Sequence, residues 1–207
     1  ITVDGAGTKT IKIGATDGND TIKFTKDAAN GATTLDFTGN TTTEVTSIQI
    51  VNAKDLVITS KAGEGTKTTT VSDFVTYFAK LGAIKTTSDA DIIPTKFDVK
   101  ANGTKFTGTD LAERFTGIDE AKETITTGGG ADEINAGKGD DTITVDGTGV
   151  KAITIVLDGG NDTIKFVGDA LKSAKVPNVD NTIINFVSGT TIDSYGVSGN
   201  DLIIASH

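Results

Sequence analysis

The sequence predicts an all-β fold made of short strands stacked in thin coils, with a small, mainly helical insert near residues 61–100. Apolar residues make up 36% of the 207 residues and come in short clusters such as "ITIVL" and "DLVITS", which argues against disorder. Aromatic anchors are few, with nine Phe, two Tyr and no Trp. A compact sandwich or barrel usually needs larger anchors, whereas thin coils need only Ile, Val and an occasional Phe.

The amino-acid composition indicates which kinds of ligand and partner the chain favours. The formal net charge of −9 makes nucleic acid an unfavourable partner and favours cations. The chain has no Cys, and its single histidine, His207, is the last residue, so thiolate sites, HExxH zinc sites and His-dependent triads are excluded. No apolar stretch reaches 18 residues, so no transmembrane segment is predicted. The start, "ITVDGAGTKT", is typical of the middle of a β-rich protein, and we expect a fragment of a longer chain.

The first 105 residues are predicted to form two regions. Residues 1–60 are interpreted as a β-rich region of degenerate repeats, with strands such as "DTIKFT" divided by Gly, Asn and Asp. Residues 61–105 are interpreted as the insert, with a short helix at about 72–81. Ser72 or Asp73 is the expected cap, Phe74, Phe78 and Leu81 share one face, and Gly82 ends the helix.

A period of about nine residues runs through the third predicted domain, residues 106–207. Five acidic residues each stand two positions before a large apolar residue, and Lys151 takes the acidic position once. Successive positions lie 10, 9, 9, 10 and 11 residues apart. The acidic residues are Glu113, Glu123, Asp132, Asp141 and Asp162.

The positions of the glycines indicate which type of repeat this period represents. In the pattern G-G-x-G-x-D-x-U-x, where U is a large apolar residue, residues 127–135 match with Thr127 in the first position. Residues 136–144 follow without a gap, with Ala136 in that position. Glycine permits tight turns at positive φ, Asp supplies the hard oxygen that Ca²⁺ prefers, and x-U-x is a short strand. The chain therefore resembles the RTX (repeats-in-toxin) calcium-binding family.

The resemblance implies a parallel β-roll, or β-solenoid, in which Ca²⁺ sits between turns two repeats apart. One edge would stack Glu123, Asp141 and Asp162. The other would stack Glu113, Asp132 and Lys151, where the lysine would repel a cation and make Asp132 the poorer ligand. Cofactor Ca²⁺ is thus expected at carboxylates and turn glycines. The candidate metal-site residues are Asp20, Glu123, Gly128, Gly130, Asp132, Gly137, Gly139, Asp141, Asp158, Gly160 and Asp162.

Related segments occur elsewhere in the chain. "DGNDTIKF" at 17–24 and "GGNDTIKF" at 159–166 differ only in their first residue, which makes Asp20 a candidate ligand. "SGNDLII" at 198–204 shares the Gly-Asn-Asp turn. A degenerate, metal-free turn is nevertheless favoured for both Asp20 and Asp201. The C-terminal segment is similar to the capping segment that closes RTX repeats. It implies a bacterial protein exported by type I secretion.

Two functions remain open at this point. The first is a calcium-dependent structural protein of the bacterial cell surface, either an S-layer subunit fragment or an adhesin stalk, which Ca²⁺ folds and assembles after secretion. Its partners would be further copies in a lattice or longer chain and, through other regions, a cell-surface polysaccharide. The alternative is an accessory calcium-binding RTX module of a secreted exoenzyme or toxin. Catalysis within this chain is not expected, because no G-x-S-x-G, P-loop or zinc motif occurs.

Overall fold

The computed structural model divides the chain into two compact units, unit 1 (Ile1–Thr95) and unit 2 (Lys96–His207). The structure describes residues 1–14, 18–38, 43–62, 65–86, 93–118, 120–146, 151–157, 162–166, 171–177, 183–186, 192–198 and 201–206.

Unit 1 combines parallel and antiparallel strands. One sheet has the order β1-β3-β7-β6-β5, in which β1, β3 and β7 are parallel and β7, β6 and β5 form an antiparallel meander. A second, parallel sheet has the order β2-β4-β8. The strands are β1 (Thr2–Val3), β2 (Lys9–Lys12), β3 (Asp20–Phe24), β4 (Thr33–Asp36), β5 (Thr43–Val51), β6 (Asp55–Ala62), β7 (Gly65–Ser72) and β8 (Leu81–Lys85).

The predicted helical insert is mostly strand. Strands β7 and β8 flank a single helical turn, α1 (Phe74–Tyr77), and a 3₁₀ turn at Phe78–Lys80. The expected helix at 72–81 is therefore wrong in extent, and Asp73 precedes α1 at φ 56° without a side-chain cap. The Thr-rich run of β7 pairs along its whole length with β6, because β-branched residues suit a pleated surface better than a helix.

Unit 2 alternates between two parallel sheets along the chain. Odd-numbered strands give the order β9-β11-β13-β15-β17, and even-numbered strands give β10-β12-β14-β16-β18. At the end, β20 pairs antiparallel with both β17 and β19. The strands are β9 (Phe97–Val99), β10 (Lys105–Thr107), β11 (Glu113–Thr116), β12 (Thr124–Thr126), β13 (Glu133–Gly137), β14 (Thr142–Val145), β15 (Lys151–Leu157), β16 (Thr163–Phe166), β17 (Leu171–Pro177), β18 (Ile183–Phe186), β19 (Ile192–Ser198) and β20 (Asp201–Ser206).

The core of the described part of unit 2 contains a column of large apolar residues from the even-numbered sheet. Along the even-numbered sheet, Phe106, Ile125, Ile143 and Ile164 lie in register and are buried. Phe115 of the odd-numbered sheet meets Phe106 edge to face, with ring centroids 6.4 Å apart, so the two sheets share this core. The predicted all-β class is confirmed, and its sheets are largely parallel.

Within the described residues, no helix has the length and apolar character needed to cross a membrane.

Candidate metal centre

Five acidic side chains are buried in the described part of unit 2, each at the start of a strand or directly before it. Carboxylates are rarely fully buried unless another group compensates their charge. Here the exposed fraction is 1% or less for every one of them. These residues are the five predicted from the nine-residue period: Glu113, Glu123, Asp132, Asp141 and Asp162.

Three of these carboxylates form a first ladder, defined as Glu123, Asp141 and Asp162. The N–H of Glu123 donates to Oδ1 of Asp141 at 2.9 Å, and the N–H of Asp141 donates to Oδ1 of Asp162 at 2.9 Å. The ladder follows the sheet register, in which the next residues, of β12, β14 and β16, are directly paired. The predicted stacking of these three residues at one edge is observed.

A second ladder is formed by Glu113 and Asp132. The N–H of Glu113 donates to Oδ1 of Asp132 at 3.0 Å, which repeats the geometry of the first ladder. Oε1 of Glu113 accepts from the backbone N–H of Thr109 at 3.1 Å and also from the Thr109 hydroxyl. Both edges of the repeat thus carry the same carboxylate-to-backbone contact.

The predicted position of Lys151 in the second ladder is wrong. Glu133 pairs with Thr154 in β15, and the same register places Ile153, not Lys151, in line with Asp132. Lys151 lies two residues earlier in the strand and pairs with Leu171. The step from Ile134 to its partner Ile155 is 21 residues, against 19 from Phe115 to Ile134, so two additional residues shift the register. The prediction that Lys151 makes Asp132 the poorer ligand is therefore wrong, because Lys151 is not in line with Asp132.

The ladders leave carboxylate oxygens without hydrogen-bond donors. In Glu113, Glu123, Asp141 and Asp162, one oxygen accepts a hydrogen bond, and the second is buried and accepts none from the described part of the chain. Burying an anionic oxygen without a donor or cation costs several kcal/mol. These oxygens are therefore the atoms at which a positive charge would stabilise the fold most.

Burial also raises the pKa values of carboxyl groups in the ladders. Loss of solvent raises the pKa of the Glu113 carboxyl to about 7 and that of Asp141 to about 6. It also raises the pKa of Asp162, and the negative charge of Asp141 adds to this shift. The two ladders thus keep carboxylates in an environment that opposes their ionisation.

Glycines allow the turns to stack closely enough to align the carboxylates. Gly128, Gly130, Gly137 and Gly139 all have positive φ, from 72° to 129°. A Cβ on Gly130 would lie 2.0 Å from the carbonyl oxygen of Leu111, 19 residues earlier. Gly128, Gly130 and Gly139 combine a positive φ with such a close backbone approach, and only glycine can meet both requirements.

The remaining predicted site residues have different outcomes. Asp20 begins β3, is only half-buried, and faces Thr69 of β7 instead of another acid, so it joins neither ladder. Asp201, for which a metal-free turn is predicted, begins β20, which pairs antiparallel with both of its neighbouring strands. Asp158 and Gly160 lie outside the described residues.

The donor set suits Ca²⁺ better than a transition metal, because every side chain offered is a carboxylate oxygen. Among the described residues there is no group of three or more His, Cys, Asp or Glu side chains placed to hold a metal. A Ca²⁺ site would therefore combine ladder carboxylates with backbone carbonyls of the stacked turns, which are ordinary calcium ligands. The residues fit a calcium ion on this basis.

Two polar contacts at the edges were not predicted from the sequence. Thr109 holds Glu113, although nothing in the sequence distinguishes Thr109 from the many other threonines. Asp146 accepts the Gly128 N–H at 2.8 Å, and its N–H donates to the Thr127 hydroxyl at 3.3 Å. Asp146 lies 19 residues after Thr127, about two nine-residue periods, and this spacing is the signal that places it on the same edge.

Comparison of the chain with protein-family models, with curated proteins and with solved structures finds no match.

Proposed function

We propose that unit 2 is a calcium-binding β-roll of the RTX type and that the chain is a calcium-dependent structural protein of the bacterial cell surface. In this proposal Ca²⁺ drives folding and assembly after secretion, in an S-layer subunit or an adhesin stalk. Partners would be further copies of the chain and, through other regions, a surface polysaccharide.

The observation that carries the proposal is the pair of buried carboxylate ladders. In Glu113, Glu123, Asp141 and Asp162, one buried oxygen accepts no hydrogen bond from the described residues, and glycine-rich turns stack closely on backbone carbonyls in the same repeats. Without a cation, the desolvated carboxylates oppose folding, and the glycine-rich turns cost conformational entropy. A divalent cation offsets both costs, so binding and folding become one event.

A structural role fits the way in which the acids are used. Asp132, Asp141 and Asp162 each accept a backbone N–H from the preceding turn, and this contact occurs in both ladders. Glu113 and Glu123 accept backbone N–H groups from within their own turns. Such repetition supports a scaffold, because a catalytic pair needs two carboxylates in different environments. We therefore propose that no reaction is catalysed by these residues.

The alternative, an accessory calcium-binding module of a secreted exoenzyme or toxin, shares the same ladders. The two functions differ in what surrounds the module. A protease, lipase or epimerase motif in the flanking sequence supports the exoenzyme module, and calcium-dependent self-association supports the structural protein.

Circular dichroism and sedimentation velocity on the chain test both parts of the proposal. We expect millimolar Ca²⁺ to increase β-sheet signal and to lower the frictional ratio relative to EDTA. Mg²⁺ at the same concentration should do much less, because it demands octahedral geometry and keeps its water. Identical spectra in EDTA and Ca²⁺ contradict calcium-driven folding. A strictly monomeric protein at high concentration in Ca²⁺ contradicts assembly.

A further inference from the structure

Unit 1 contains a turn whose two glycines have the φ angles of Gly128 and Gly130 in unit 2, but whose charged residue has the opposite sign. In residues 4–9, Gly5 and Gly7 have φ of 71° and 97°. In unit 2, Gly128 and Gly130 have φ of 72° and 94°. In both turns the glycines are two residues apart, and a strand begins within five residues of the first glycine.

The residue four positions after the first glycine differs in sign between the two turns. In unit 2 it is Asp132, which belongs to the second ladder. In unit 1 it is Lys9, at the start of β2. Asp132 and Lys9 each stand two residues before an isoleucine. The turn of residues 4–9 therefore has an ammonium group at the sequence position where the turn of residues 128–132 has a carboxylate.

The ammonium of Lys9 donates hydrogen bonds to backbone carbonyls of its own turn. Its Nζ donates to the carbonyl oxygens of Gly5 at 3.0 Å, Ala6 at 3.2 Å and Gly7 at 3.2 Å. Three consecutive carbonyls around one positive centre are the contact set that a bound cation makes with a glycine-rich turn. An ammonium supplies three donors, so one side chain satisfies all three oxygens.

A second lysine of unit 1 also bonds the backbone carbonyls of a turn through its ammonium group. Lys80 Nζ donates to the carbonyl oxygens of Lys26 at 3.2 Å and Ala28 at 2.6 Å, within the turn that follows β3. In the described part of unit 1, no carboxylate is buried. In unit 1, lysine ammonium groups thus bond the carbonyls of two turns, whereas unit 2 has carboxylate ladders.

We propose that the Lys9 ammonium takes the place of a bound cation in the turn of residues 4–9, so that unit 1 folds without the calcium that unit 2 requires. This inference rests on the proposed function for the requirement in unit 2. The Asp-Gly-x-Gly-x-Lys pattern of residues 4–9 recurs in the sequence at 146–151, of which 147–150 lie outside the described residues.

Hydrogen exchange on the full chain, read by mass spectrometry of peptides, tests the inference. In EDTA, amides of β2 and β4 should stay protected while those of β12 and β14 exchange quickly. Lys9→Met should speed exchange in β2 about tenfold in EDTA, the effect of losing hydrogen bonds to a charged group. Lys12→Met is the matched control, because it removes an exposed lysine of the same strand, and exchange should hardly change.

A charge-reversal variant separates cation replacement from simple packing. Lys9→Asp should also exchange rapidly in EDTA, and 10 mM Ca²⁺ should restore its protection while leaving Lys9→Met unprotected. The inference is overturned if Lys9→Met matches Lys12→Met, if Ca²⁺ fails to distinguish the two Lys9 variants, or if β2 of the unchanged chain loses protection in EDTA. If only unit 2 fails to respond to Ca²⁺, the proposed function fails, and the comparison of lysine variants in EDTA still decides the role of Lys9.

Discussion

Replacing Asp141 with asparagine should stabilise unit 2 when calcium is chelated and remove most of the stabilisation that calcium provides. Asn keeps an oxygen that accepts the Glu123 N–H, now 2.9 Å from Oδ1 of Asp141. It removes the charge from a side chain that is 1% exposed and has a neighbouring acid on each side of the ladder. The substitution therefore separates the cost of burying charge from the benefit of binding a cation.

The size of the effect follows from the pKa of Asp141. Burial raises that pKa from 3.8 to about 6, and about 2 units correspond to about 3 kcal/mol at pH 8, where the carboxyl must ionise. Screening by solvent near the turns reduces this to about 1–2 kcal/mol. In 10 mM Ca²⁺, a site with a dissociation constant of about 10⁻⁴ to 10⁻³ M adds about 1.4–2.7 kcal/mol, which Asn forfeits.

Hydrogen exchange at pH 8 measures both effects, because protection in β12 and β14 reports the local unfolding free energy. Asp141→Asn should be better protected than the unchanged chain in EDTA and less protected than it in Ca²⁺. Asp98→Asn serves as the control, since Asp98 is half-exposed and pairs with Arg114 on the surface. If Asp141→Asn lowers protection equally in both buffers, the carboxylate is only a structural hydrogen-bond acceptor and the reasoning is refuted.

Two further predictions concern pH and the turns. With calcium chelated, unit 2 should lose stability as the pH rises from about 5 to 8. The raised pKa values of Glu113 and Asp141 mean that the folded state keeps protons which the unfolded chain has released. A urea midpoint that increases with pH in EDTA contradicts this sign. Gly130→Ala should cost more than about 2 kcal/mol, because its Cβ would lie 2.0 Å from a carbonyl oxygen at a φ of 94°. Gly103→Ala, at φ 62° in open space, should cost about 1 kcal/mol in the same urea titration.

The stacking of the first ladder was predictable because it depends on local spacing. An acid two residues before a large apolar residue is carried to the same place on every turn once that apolar residue enters the core. Ile125, Ile143 and Ile164 are all fully buried and paired in sequence order. The period therefore determines the positions of Glu123 and Asp141 without any knowledge of long-range contacts.

The misplacement of Lys151 shows where such spacing fails. Counting assumes that each turn has nearly the same length, but two additional residues between β13 and β15 move the strand register by two. The alternation of side chains is preserved by a shift of two, so the pattern of apolar residues in "KAITIVL" fits either register. Backbone pairing decides between them, and that information is not in the period.

The helix predicted in unit 1 is wrong in extent because strand pairing outweighs the local sequence pattern. Phe74 and Phe78 do lie on one helical face, with ring centroids 5.6 Å apart, but only one turn of α-helix forms between them. A four-residue helix gains little by itself, while the neighbouring Thr-rich strand gains a full antiparallel partner in β6. Tertiary pairing thus outweighs a short amphipathic pattern.

The most direct test of calcium binding by the ladders is an anomalous difference map from crystals grown in 10 mM CaCl₂. We expect calcium peaks within about 2.3–2.6 Å of carboxylate oxygens of Asp141 and of its ladder neighbours, with turn carbonyls completing the coordination shell. Ordered ladders without any calcium peak, or peaks confined to exposed acids away from both ladders, would contradict it.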